Sequence, residues 1–375
     1  MSNRIVVRQV ESWRERRCFQ RLPWSIYAGD HNWVPPILTQ ERTLLGWGHH
    51  PFFDNAEIVT LLAECEGRTA GRLAVLINHV HNRKYNEQRG FFGFFECIDD
   101  AAVAEGLFEA GQDWLRQRGM TAVRGPVNPS LNYTCGLLID GFDCPPCFLM
   151  TYNRPYYGAL LEACGFAKAQ DMYAYEMDKN MLQVMVNRYK PAVLSMLDRP
   201  DLVIRSMNPK RLQQEIEIYL DIYNSSLDGT WGFTPLQPRE ARHIAVELGR
   251  LIVPQFTALA EIDGRPIGAM FALLDYNQIF GKLNGRLFPF GLVRLMIGQR
   301  KITAVRAMAM TMVPGYQDAG LSVVLIDNLT GPAAKWGIQR WELSWVLESN
   351  SRSRGSLERA GIKRTKTYRI YDKAL

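Results

Sequence analysis

The sequence predicts a mixed α/β fold, a sheet with covering helices, made twice in tandem. Two internal matches carry this reading. "TLLAECEGRTAGRLAVL", starting at Thr60, and "TALAEIDGRPIGAMFAL", starting at Thr257, share Thr, Ala, Glu, Gly, Arg and Gly in register at a separation of 257 − 60 = 197. "LLEACGFAKAQDMYAYEMDK" and "SLERAGIKRTKTYRIYDK" place Leu161, Glu162, Gly165 and Tyr175 opposite Leu357, Glu358, Gly361 and Tyr371, at 357 − 161 = 196. Two matches at nearly one separation mark a duplication. A third observation is size: 375 residues with 47 % hydrophobic content suffice for two ordinary cores.

Each copy then reads in the same order. An apolar strand runs into Glu-x-Asp/Glu-Gly-Arg, whose Gly accepts a positive φ, and a second apolar strand returns as a β-hairpin. A third strand follows ("GFFGFFECI", "TAVRAMAMTM"), then a helix ("AAVAEGLFEAGQDWLRQRG", "LSVVLIDNLTGPAAKWG") and a fourth strand ("MTAVRGPVN", "RWELSWVLESN"). The strand-helix-strand portion requires a crossover connection. A short helix ending at Gly165 or Gly361 and a Tyr-rich final strand complete each copy. The expected division is a first domain over 1–185 and a second over 186–375.

Composition narrows the surroundings. Seven cysteines fall between Cys18 and Cys164, with an odd count and no disulfide-like rhythm, as expected of a reducing cytosol. The start has no apolar core of signal-peptide length, and no stretch is long enough to span a bilayer, so a cytoplasmic location is expected. A net charge of +6, with basic residues gathered near 282–306 and 352–366, suits anionic ligands or a membrane surface rather than nucleic acid.

This order of elements, with "QDAGLS" between the third strand and its helix, resembles the GNAT superfamily of acyl-CoA-dependent N-acyltransferases. The resemblance covers most of the chain as two tandem GNAT-like domains. "GPVNPSLNYTCGLLIDGF", "YNRPYYGALLEACGF" and "ELSWVLESN" resemble a bacterial tandem-GNAT group, and more loosely the chain is similar to GNAT-like bacterial ceramide synthases. The resemblance implies an acyl-CoA co-substrate, an amine acceptor and no permanently bound cofactor; Cys144-Pro-Pro-Cys147 has metal-ligand spacing but no second pair, so no metal is expected.

Elementary electrostatics agrees. A helix N-terminus carries unpaired N–H groups and about half a positive charge, so a turn without bulky side chains there can cradle a pyrophosphate. Gln317, Asp318, Ala319, Gly320, Leu321 and Ser322 form such a turn, although an ordinary strand-to-helix turn would also use Gly320. The resemblance places the thioester against strand backbone at 310–313, including Met312 and Val313. In the first copy the equivalent "CIDDAAVAEGLF" begins with Asp99 and Asp100, which cap a helix but repel a pyrophosphate. The second domain is therefore the expected acyl-CoA binder, and the first is degenerate at this turn.

The copies differ the other way at their short helices. "YNRPYYGALLEACGF" resembles the family's Asn-x-x-x-Tyr helix, which gives Asn153 a substrate-binding role and makes Tyr156 and Tyr157 candidates to protonate the departing thiolate. The second copy keeps Asn350 but has no such Tyr. Its general acid is then missing, supplied by the first domain, or replaced by Tyr368 or Tyr371. Attack on a thioester needs a neutral amine, so a carboxylate near the end of a central strand is the expected base. Glu342 and Glu348 lie six apart and share a face on a regular strand. Glu348, nearer the strand's C-terminal end, is preferred; pairing with an arginine of "SRSRG" is the structural alternative.

Two segments stay open. Asn128, Ser130, Asn132 and Tyr133, in a loop rich in turn formers, can hydrogen-bond a polar acceptor or satisfy one another. The second copy inserts "GKLNGRLFPFGLVRLMIGQRK", whose apolar residues, Phe288, Leu292 and Met296 among them, interleave with Lys282, Arg286, Arg294, Arg300 and Lys301. Residues 282–301 suit peripheral contact with the inner membrane, a lid on an acyl groove, or packing on the other domain. Three functions follow: an N-acyltransferase acting from acyl-CoA or a related thioester, a lipid-amine acyltransferase of the ceramide synthase kind, and a non-catalytic acyl-CoA sensor.

Overall fold

The computed structural model describes residues 5–249, 251–287, 291–317 and 320–375. Its contacts define two units that do not follow chain order. Unit 1 is Met1–Met172, Phe280–Leu292 and Lys366–Leu375; unit 2 is Tyr173–Ile279 and Val293–Thr365. The units thus part at 172 rather than near 185, and the last strand of the chain belongs to unit 1 from Lys366 onward.

In unit 1, β1 (Ile5–Gln9), α1 (Trp13–Ile26) and α2 (Leu38–Leu44) lead into the hairpin β2 (Ala56–Cys65) and β3 (Arg68–Asn78). After α3 (His79–Tyr85) come β4 (Arg89–Cys97), α4 (Ala101–Arg116), β5 (Ala122–Gly125), the small hairpin β6 (Val127–Asn128) and β7 (Thr134–Cys135), β8 (Leu137–Asp140) and α5 (Tyr157–Ala163). Strand β9 (Ala167–Asp178) carries the chain into unit 2. There α6 (Lys179–Leu197), β10 (Leu202–Arg205), α7 (Leu212–Leu227) and α8 (Pro238–Leu248) precede the second hairpin, β11 (Thr257–Ile262) and β12 (Arg265–Leu274). Helix α9 (Asn277–Phe280) precedes the insertion, which forms α10 (Gly291–Gly298); β13 (Ala304–Met312), α11 (Leu321–Trp336), β14 (Arg340–Leu347), α12 (Ser351–Arg359) and β15 (Lys363–Ala374) finish the chain.

The duplicated hairpins match in backbone detail. Glu66 and Gly67 have φ of 52° and 76°, and Asp263 and Gly264 have 49° and 73°. Two consecutive positive φ values define the mirror-image turn whose twist suits antiparallel strands, which is why the repeat keeps glycine second. Both hairpins also shift register at the same place, between Ala63 and Glu64 and between Ala260 and Glu261. The shared glycine four residues on has a packing cause: a Cβ on Gly71 would lie 2.7 Å from Leu107 of α4, and one on Gly268 would lie 3.0 Å from Leu321 of α11.

The sheet of unit 1 runs β1-β2-β3-β4-β5 and is completed by the unit 1 part of β15, where Tyr371 pairs with Gly125 and Tyr368 with Leu138. Leu73, Phe92, Leu107, Leu115, Tyr157 and Tyr371 share its main core. In unit 2 the order is β9-β14-β13-β12-β11-β10. Each copy therefore gives the later part of its final strand to the other unit. The duplicated tyrosines record the exchange: Tyr371 donates to Glu162 at 3.4 Å in unit 1, and Tyr175 donates to Glu358 at 3.0 Å in unit 2.

Candidate active site

The feature that can admit an extended ligand is in unit 2. Strands β13 and β14 are parallel neighbours only from Ala304–Ala307 against Arg340–Leu343, yet both run on, to Met312 and Leu347. A register shift between Phe271 and Ala272 of β12 falls where β13 leaves its partner. Beyond that point, among the described residues, the β14-facing edge of β13 has peptide groups without a neighbouring strand, and Met310 is 40 % exposed. Such an edge pairs readily with a linear amide-bearing chain. Two of the backbone groups assigned to the thioester are partly engaged: Met312 N–H donates to Ser226 Oγ at 3.3 Å and Val313 N–H to the Ile267 carbonyl at 3.0 Å.

Past this freed edge the chain continues to α11, which begins after Gly320 at φ 70°. Among the described residues no side chain caps this helix, and its first turn has no acid. Its N–H groups and dipole therefore favour an anion. A Cβ on Gly320 would come within 3.4 Å of Met196 Sδ. Leu321 is buried in the core and offers only backbone, while Ser322 is half-buried. Gln317 is exposed and accepts from Arg352 Nη1 at 3.4 Å. Asp318 and Ala319 lie outside the described residues. Asn350 caps α12, its Oδ1 accepting from Ser353 N–H at 3.1 Å.

Glu348 sits just past the end of β14 and is half-buried. Tyr173 Oη donates to its Oε1 at 3.1 Å, and Arg354 of the "SRSRG" segment donates to its backbone carbonyl at 3.1 Å. Glu342 has a different environment. It is buried, accepts from Ser344 Oγ at 2.5 Å, and Ser344 accepts in turn from Arg306 Nε at 2.8 Å. Burial pushes the Glu342 carboxyl above the ordinary range, against the opposing pull of Arg306. Shared spacing along β14 thus does not give shared exposure, and Glu342 reads as a buried structural acid.

Unit 1 shows the same plan closed. Its parallel ladder, Arg89–Phe91 against Ala122–Arg124, also stops early, but the chain covers the freed edge. Asn128 Oδ1 accepts from Phe94 N–H at 2.7 Å, and a Cβ on Gly93 would lie 1.7 Å from the Val127 carbonyl. At the start of α4, Asp100 Oδ1 accepts from Ala102 N–H at 2.9 Å, so a protein carboxylate holds the place of an anion.

The amide-rich loop serves the same closure. Asn128 also donates to Thr134 Oγ1 at 3.3 Å, Ser130 Oγ accepts from Asn132 N–H at 3.2 Å, and Tyr133 Oη lies 3.5 Å from His50 Nε2. Asn153 is buried and bonds both N–H and carbonyl of Leu138, at 2.7 and 3.1 Å. Tyr156 donates to the Cys97 carbonyl at 2.8 Å, and burial pushes its phenol up to about 12. Tyr157 is fully buried and donates to Glu96 at 2.8 Å, with its phenol also driven upward by burial. The acceptor and acid assignments made for these residues meet internally bonded groups of unit 1. Tyr371 is likewise bonded within unit 1, and Tyr368 is buried.

Two side chains bonded to these residues are not singled out by the sequence. Tyr173 was hidden because its strand reads as the end of the first copy, whereas it lies in unit 2 beside Glu348. Glu96, which accepts from both Tyr27 and Tyr157 at 2.8 Å, stood in an otherwise apolar strand. Burial raises its carboxyl too.

A hairpin, a splayed parallel pair and a helix at the mouth of the splay define the GNAT acyltransferase fold, here built twice. The chain belongs to the tandem GNAT family. It is 34 % identical over 370 residues to "Bacterial ceramide synthase" of Caulobacter vibrioides, covering 96 % of this chain and 95 % of that one. It is 32 % identical over 380 residues to "Protein YghO" of Escherichia coli K12, covering 99 % and 95 %. No family model matches. Among solved structures, a tandem GNAT protein from the clavulanic acid biosynthesis pathway superposes with a TM-score of 0.60 at 10 % identity, covering 99 % of this chain and 98 % of its own. A GCN5-related N-acetyltransferase from Sphaerobacter thermophilus gives 0.53 at 12 % identity, covering 99 % and 95 %. Among the described residues no helix is long and apolar enough to cross a membrane.

Proposed function

We propose that the chain transfers an acyl group from acyl-CoA to an amine, with unit 2 carrying the reaction. The observation behind this is the edge of β13, without a neighbouring strand among the described residues, that runs to the start of α11, which no described side chain caps. In this reading the pyrophosphate meets backbone N–H groups from Gly320 onward, and the pantetheine arm pairs with the free edge of β13. The thioester then lies near the C-terminal end of β14. Glu348 takes a proton from the attacking amine, directly or through a water. The C–N bond forms, the tetrahedral intermediate expels CoA thiolate as the C–S bond breaks, and the proton passes to sulfur. Tyr173, bonded to Glu348, is placed to orient the carboxylate and relay that proton.

The finer form of the reading takes a lipid amine as acceptor, met at the inner membrane surface through residues 282–301. Its support is the 34 % identity to a protein named bacterial ceramide synthase. The test is release of free CoA thiol when purified protein is given acyl-CoAs of graded chain length with water-soluble or lipid amines. Mass spectrometry should find the matching amide. CoA release without amide, or neither product with any pair, overturns the reading.

A further inference from the structure

We propose that α10 is a docking helix for an anionic lipid bilayer, with Val293, Met296 and Ile297 as the inserted side chains. This deepens, and rests on, the membrane form of the function above. These three residues are 53 %, 75 % and 67 % exposed, whereas large apolar side chains on an amphipathic helix ordinarily face a core. Their spacing of three and four places them within an arc of about 100° on one side of the helix. Arg294 flanks that arc and is exposed, and Arg300 and Lys301 follow in the next turn, also exposed.

Charge selects the occupant. No Asp or Glu occurs between Asp275 and Asp318, while Lys282, Arg286, Arg294, Arg300 and Lys301, all exposed, lie there. An apolar arc with cations and no acid beside it along the chain suits a bilayer whose surface is negative: the side chains enter the acyl boundary and the Arg294 guanidinium and Lys301 ammonium stay among the phosphates, while Arg300 also stacks on Trp336 at 4.0 Å. A second copy of this chain would bring like charges together across the same face. The helix is eight residues long, which fits lying in the interface and is far too short to span.

The test is co-sedimentation of the full chain with vesicles of phosphatidylcholine alone or mixed with phosphatidylglycerol. Wild type should partition onto the anionic vesicles, be partly released by added salt, and leave neutral ones largely unbound. Met296→Glu with Ile297→Glu should lower partitioning at least about tenfold, and Arg294→Glu with Lys301→Glu should remove most of the anionic preference. Thermal unfolding of these surface variants should match wild type. Absence of binding to anionic vesicles, or binding indifferent to both variants, overturns the proposal. So does a dimer that the variants convert to monomer while vesicle binding stays unchanged. Turnover of a water-soluble amine separates the two readings. Turnover without vesicle binding removes only the docking helix, and vesicle binding without turnover removes only the enzyme.

Discussion

Helices α4 and α11 occupy equivalent places in a duplicated plan, and their first turns have opposite chemistry. At α4, Asp100 satisfies the free N–H groups and Asn128 bonds the strand edge beside it. At α11, no described side chain caps the helix after Gly320, and among the described residues the adjoining edge of β13 has no neighbouring strand. The fold leaves unpaired helix N–H groups at every such junction. Whether it serves a ligand depends on whether the chain fills it first.

The largest effect expected concerns which residues complete which unit. Deleting Lys366–Leu375 removes the strand paired with β5 and β8 and takes the buried Ile370 and Tyr371 from unit 1. Hydrogen exchange should show protection lost across 122–125 and 137–140. Retained protection would mean that another segment can take the place of β15.

Next comes the anion site. Gly320→Glu places a side chain at φ 70°, costing about 1–2 kcal/mol, and sets a carboxylate against the pyrophosphate. CoA affinity measured by calorimetry should fall roughly a hundredfold while a cooperative thermal transition remains. Unchanged affinity, with sensitivity appearing at Asp100 instead, would reverse the roles of the two units.

Glu348→Gln tests the chemistry beyond binding. General-base help is worth about 100- to 10,000-fold. The loss of kcat/KM should be largest at low pH, where most amine is protonated, and shrink as pH rises and free amine becomes plentiful. A uniform loss across pH would point to positioning rather than proton transfer. Glu342→Gln disturbs the buried set with Ser344 and Arg306, so its expected signature is lowered stability with a pH profile of unchanged shape.

The smallest effect sharpens the contrast from the other side. Asp100→Ala should cost about 0.5–2 kcal/mol of stability through loss of the cap. CoA affinity should be unaltered, because Val127 and Asn128 still cover the strand edge of unit 1. A new CoA site in unit 1 would show that the carboxylate alone had kept it closed.

Much of this was legible in the chain. Asp100 against Gly320 was readable because a helix start is a local event, decided by a few consecutive residues. The hairpin turns were readable for the same reason, with Gly67 and Gly264 marking a backbone conformation that needs glycine. The candidate site was only partly legible. Glu342 and Glu348 look alike in a strand pattern, and only the packing around Arg306 and Ser344 separates a buried acid from a half-exposed one. The loop from Asn128 to Tyr133 has the composition of a binding loop, and its partners Phe94 and His50 are 34 and 83 residues away.

The sequence by itself determined the duplication, the order of elements in each copy and the difference between the two helix starts. Tertiary structure alone decided where the two final strands go. Those strands are copies, with Tyr175 and Tyr371 at matching places and Glu162 and Glu358 as matching partners, so local pattern fits either strand to either unit. Chain order suggests Tyr175 with Glu162, yet the hydrogen bonds join Tyr175 to Glu358 and Tyr371 to Glu162. Equivalent strands carry equivalent local preferences, and a choice between them rests on long-range packing that no short stretch of sequence contains.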